Sequence, residues 1–78
     1  MKSEEKEIDI TEQPVQEQIE FVDQAIMKAT QGVSSKIITN ARIVATYSLP
    51  NALKKGVRCR VIPNQEGSVF SINIISKN

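Results

Sequence analysis

Arg58, Cys59 and Arg60 follow one another in a short apolar-alternating run, with Lys54 and Lys55 just before it. Guanidiniums two residues apart on a strand share a face. There they can grip phosphate oxygens through forked hydrogen bonds, and nearby lysines add point charge. Cationic neighbours can also lower a thiol pKa and make it a nucleophile. Alternation, however, points the Cys59 sulfur away from both arginines, so it reads as a small apolar core residue. Little else in the chain could do chemistry. There is no histidine, so the commonest general base and the commonest zinc ligand are missing. One cysteine cannot build a thiolate metal site, and three glycines form no phosphate-cradling loop. Glu17 and Glu20 stand one helical turn apart, but nothing near them in sequence would separate their pKa values, and they read as a solvated face. The sequence therefore predicts no metal, no cofactor and no enzyme, and leaves binding as the expected activity.

The net charge of +1 conceals a split. Residues 1–28 hold three lysines against eight carboxylates, a net −5; residues 29–78 hold seven cations against Glu66 alone, a net +6. Such asymmetry implies either a polyanionic partner for the second half or attraction between the halves themselves. At 78 residues, with only Phe21, Tyr47 and Phe70 as aromatics, the core must rest on Ile, Val, Leu and Ala. A core this small predicts support from a second copy, most simply as a homodimer. The lone cysteine and the charged opening, Met1 to Glu7, predict a reducing cytoplasmic setting without a signal peptide. No stretch approaches the ~20 apolar residues of a membrane span.

The elements that would position these residues follow from periodicity. Residues 1–7 read as a charged flexible tail, and residues 8–78 as a single domain. Glu7-Ile8-Asp9-Ile10 alternates like a short edge strand. From Pro14 to Gln31, Val15, Ile19, Val22, Ile26 and Ala29 recur at helical spacing, widened by Phe21 and Ala25, with Gly32 placed to end the helix. Residues 36–47 are rich in β-branched side chains and alternate as one long strand, which would carry Arg42. A second parse ends the strand near Asn40 and begins a helix at Ala41. Pro50 weighs against a long helix there and leaves one short turn, closed by Gly56. Val57–Val61 and Ser68–Ser76 form a hairpin around a turn at Pro63–Gly67. The expected fold is α+β: one main amphipathic helix on a three- or four-stranded sheet ending in a C-terminal β-hairpin.

Read together, Ile8-Asp9-Ile10, Pro14-Val15, Gln31-Gly32-Val33-Ser34, Ile37-Ile38 and Ala41-Arg42 resemble the Alba family of small nucleic-acid-binding proteins. The pattern covers about residues 8–42, and the rest in outline. The resemblance implies dimerisation and a basic hairpin that reaches along RNA or DNA, here Val57 to Ile75 with Arg58 and Arg60. Departures are specific. Glu12 and Gln13 stand where the family commonly has lysines, Ile43 stands where it has glycine, and the family's long second helix would have to be shortened and to contain Pro50.

Two functions are thus in play. The first is a nucleic-acid-binding module using Arg58, Arg60, Lys54 and Lys55, with Arg42 secondary. The second is a self-associating or protein-docking module that uses the acidic helix face or a free sheet edge.

Overall fold

The computed structural model describes residues 6–76. The chain runs β1 (Lys6–Asp9), α1 (Val15–Thr30), β2 (Ser35–Thr39), α2 (Arg42–Lys54), β3 (Arg58–Pro63) and β4 (Phe70–Ile75). The four strands form one mixed sheet in the order β1-β2-β4-β3. β1 and β2 are parallel, as two strands joined through a helix must be when they are neighbours in this register. β4 lies antiparallel to both β2 and β3. This is the α+β architecture the sequence predicts, with a second helix added. β1 begins at Lys6, two residues inside the expected tail; residues 1–5 lie outside the described residues.

α1 forms where the apolar stripe demands. Pro14 precedes it in an extended conformation, and its carbonyl accepts the first helical bond from Gln18 N at 2.9 Å. Gly32, at φ 101°, adopts the left-handed turn that glycine tolerates best; Gly32 N and Val33 N then close back on the carbonyls of Ala29 and Lys28. Val22, Ala25, Ile26 and Ala29 are buried, whereas Val15, the first of the stripe, stays exposed.

Residues 36–47 are not one strand. β2 stops at Thr39 and Arg42 opens a 13-residue helix, so Arg42 lies on no strand. The buried residues Val44, Ala45, Ser48 and Ala52 have helical spacing, which outweighs the local β propensity once a sheet is there to pack on. Nor does Pro50 confine the helix to one turn. Proline at this position removes the bond to the Thr46 carbonyl, but Thr46 and Pro50 are both exposed, so water can take that acceptor. One residue later, Asn51 Nδ2 donates to the Tyr47 carbonyl at 2.7 Å and adds a local tie.

The core lies between the helices and one face of the sheet. Ile37, Ile72 and Ile74 are fully buried there, with Val22, Val44 and Ala52 from the helices. Each such aliphatic side chain contributes about 1.5–3 kcal/mol through burial. Among the described residues, four polar ones, Gln18, Ser35, Thr39 and Ser48, are buried with them, and the largest is Gln18. Its Nε2 donates to the Gln13 carbonyl at 2.9 Å, and its Oε1 accepts from Thr39 Oγ1, which in turn accepts from Ala41 N at 3.0 Å. This chain of bonds ties the start of α1 to the junction where β2 gives way to α2. On the other side of the helical layer, Tyr47 Oη donates to the Asp23 carboxylate at 2.9 and 3.0 Å, which links α2 to α1.

Candidate nucleic-acid interface

Register and burial divide the sheet into two faces. Ile8, Ile37, Ile72, Ile74, Cys59 and Val61 turn towards the helices. Glu7, Lys36, Asn73 and Arg60 lie in one row across the opposite face, because Glu7 pairs with Lys36, Lys36 with Asn73, and Asn73 with Arg60. A second row holds Asp9, Ile38, Ser71 and Ile62, and on the other side of the first row Arg58 pairs with Ile75. None of these residues is fully buried, so among the described residues no element covers this face. On this face Ser71 Oγ has no hydrogen-bond partner among the described residues.

Arg58 and Arg60 are both exposed on this open face, as strand alternation predicts. Two strands away, about 10 Å across the sheet, Lys36 adds a third cation, with Asn73 between them as an amide donor and acceptor. Lys36 and Asn73 are the contributions that the linear sequence does not reveal. Their place beside Arg60 depends on β4 lying between β2 and β3. Among the described residues, no side-chain hydrogen bond engages Arg42, Lys54, Lys55, Arg58 or Arg60. The carboxylates are only partly elsewhere: Glu17 and Glu20 line a groove with Asp9 at the β1 edge, but Asp23, which accepts from Tyr47, shares a groove with Lys55, and Glu7 pairs with Lys36 on the open face.

The remaining cations divide. Lys54 ends α2 and Lys55 caps it, so both stand at the entrance to β3. Three residues of chain keep Lys55 within about 11 Å of Arg58. Lys55 lines a groove between the helices with Asp23 and Tyr47. Arg42 opens α2 and is separated from Lys54 by about 18 Å of helix. The five basic residues singled out by sequence therefore form no single patch. Arg58 and Arg60 stay together, the two lysines flank them, and Arg42 stands apart.

Cys59 is half-buried on the helix side, with Sγ 3.6 Å from Ser48 Oγ. Burial pushes its thiol pKa up, which opposes nucleophilic use. Among the described residues no group of three or more acidic or cysteine side chains gathers as a metal site, and no helix is long and apolar enough to cross a membrane.

At its β3 edge the sheet meets α2 in an open cleft of about 850 Å³, lined by Leu49, Pro50, Leu53, Val57 and Ile75 with Arg58 and Arg60 alongside. The cleft continues an outward face of α2 that is apolar where a solvated helix would be polar. Ile43 is 62% exposed and Leu53 77%. Compared with known proteins, the chain matches no family model, and no curated protein or solved structure shows significant similarity to it.

Proposed function

We propose that this protein is a non-catalytic nucleic-acid-binding module that contacts phosphates with the open sheet face around Arg58 and Arg60. The observation that carries the reading is the concentration of Arg58, Arg60 and Lys36 about Asn73 on a face that no helix covers. Lys54 adds charge at the entrance to β3, Lys55 sits in the groove between the helices with Asp23, and Arg42, at the start of α2, is a secondary contact. The face offers no aromatic platform, so backbone contact without strong base readout is the mode that fits. The order strand, helix, strand, helix, hairpin supports the Alba-like resemblance, since α2 stands where that family has its second helix. RNA and DNA are both compatible with a phosphate grip. With ~3 phosphates neutralised, log affinity for duplex DNA should fall with log salt at a slope of about −2.7. Titration of the wild type and an Arg58→Ala/Arg60→Ala variant against salt tests this. The variant should bind more weakly and with a shallower slope; identical curves would remove the reading.

A second reading is self-association, favoured by the exposed apolar face of α2. Leu53 is the most exposed of its large side chains, so Leu53→Glu should leave the fold intact and reduce any self-association measured by sedimentation after nuclease treatment. Wild type and variant sedimenting alike as monomers would exclude it.

A further inference from the structure

The sheet has two free edges, and they carry opposite charge. Along β1 Glu7 and Asp9 outnumber Lys6, and the groove of about 480 Å³ between β1 and α1 adds Glu17 and Glu20 beside Ile8 and Phe21, so this edge is acidic on balance. Along β3 stand Arg58 and Arg60, and the adjoining cleft adds Leu49 and Leu53. We infer that these edges are the two halves of one interface, and that copies of the chain join head to tail, β3 of one against β1 of the next. The inference rests on the self-association reading and fixes its geometry.

Three features support this arrangement. The first is strand direction. β1 and β2 run together, β4 opposes β2, and β3 opposes β4, so β3 runs parallel to β1. A second copy placed beside the first without inversion therefore continues the sheet as a parallel pair. The second is the row across the open face, which begins at Glu7 and ends at Arg60. Continuing the sheet brings an arginine at the end of one row to a glutamate at the start of the next. The third is the helical layer. α1 flanks the β1 edge and α2 flanks the β3 edge, as the linings of the two grooves show, so the same union covers Leu49 and Leu53 with the groove that holds Phe21.

Charge also selects against the alternatives. Edge strands bearing one sign of charge resist pairing with copies of themselves. Here β1 against β1 would oppose carboxylates, and β3 against β3 would oppose guanidiniums. Only the unlike pairing is attractive. An interface made of two different surfaces does not close on itself at two copies, so the assembly grows with concentration.

Sedimentation velocity of the nuclease-treated full chain, followed against concentration at low salt, tests the arrangement. The wild type should grow past the dimer without a plateau at two copies. An Arg58→Glu/Arg60→Glu variant and a Glu7→Lys/Glu17→Lys/Glu20→Lys variant should each associate at least ~10-fold more weakly alone. Their equimolar mixture should recover assembly, because each reversed edge then meets its complement. All the altered residues are exposed, and circular dichroism checks the fold. Neutral glutamine versions at the same positions should each weaken association alone, and on mixing should restore a single native junction and stop at a two-copy complex. A closed dimer that survives reversal of Glu7, Glu17 and Glu20 would overturn the head-to-tail arrangement while leaving self-association in place. Monomers at every concentration would overturn both.

Discussion

α1 and α2 lie on the same side of the sheet, yet they are built by different rules. α1 is divided lengthwise: Val22, Ala25, Ile26 and Ala29 face the core, while Glu17, Glu20, Gln24 and Lys28 face water. α2 buries small residues, Ala45, Ser48 and Ala52 beside Val44, and exposes large ones, Ile43, Leu49 and Leu53. Small residues inward let α2 approach the sheet closely. Large apolar residues outward leave it with surface that water does not favour. The first helix turns a mostly polar face outward, and the second turns an apolar one.

Substitutions can break this contrast, and the largest effect belongs to α1. Ile26→Ala should cost about 2–5 kcal/mol in chemical denaturation, because it opens a cavity where packing is complete. Gln18→Leu comes next. It preserves volume but strands the Thr39 hydroxyl, and about 1–3 kcal/mol should be lost by the same measurement. Pro50→Ala acts in the opposite sense. It restores a helical donor to α2 while loosening the unfolded chain, for a net gain of about 1–2 kcal/mol and a higher Tm. Leu53→Ala should change monomer stability by no more than about 0.5 kcal/mol, since the side chain is already in water. A loss of several kcal/mol there would mean that α2's outer face is packed within the monomer, and the contrast would fail.

The smallest effect is a proton at the β1 edge. Thr11 donates to Asp9 Oδ1 from its backbone N at 2.9 Å and its hydroxyl at 2.7 Å, and these bonds, the backbone one first, hold the carboxyl below its ordinary value. A depressed folded pKa stabilises above the ordinary aspartate range. That contribution disappears as pH falls through the folded value. Thr11→Val should therefore raise the Asp9 pKa in an NMR titration and reduce the acid sensitivity of the fold slightly. An unchanged titration would show that the hydroxyl contributes nothing.

How much of this was legible before the fold is evident from the same two helices. α1 could be read from spacing, because its two faces differ in polarity. α2 was legible only as the second of two parses, a helix beginning at Ala41, because its outward Ile43 and Leu49 erase that difference and Val44 and Thr46 imitate a strand; its length past Pro50 was not expected. Its inward face is marked by size alone, which periodicity of hydrophobicity does not detect. The hairpin and the shared face of Arg58 and Arg60 were legible, since strand alternation is local. The row from Glu7 to Arg60 was not. It depends on which strands become neighbours, and no local pattern announces that β4 inserts between β2 and β3. Arg42 had two possible places for the related reason that its element could be parsed as strand or helix, and the structure puts it at the start of α2.

β4 comes last among the described strands and yet occupies the middle of the sheet, bonded on both sides. During synthesis, everything before it can offer only a parallel pair with its helix and a single unpartnered strand. No nascent intermediate can close the core before residues 70–75 leave the ribosome. A chain interrupted before Phe70 should therefore leave its apolar residues uncovered and be a substrate for chaperones and proteases.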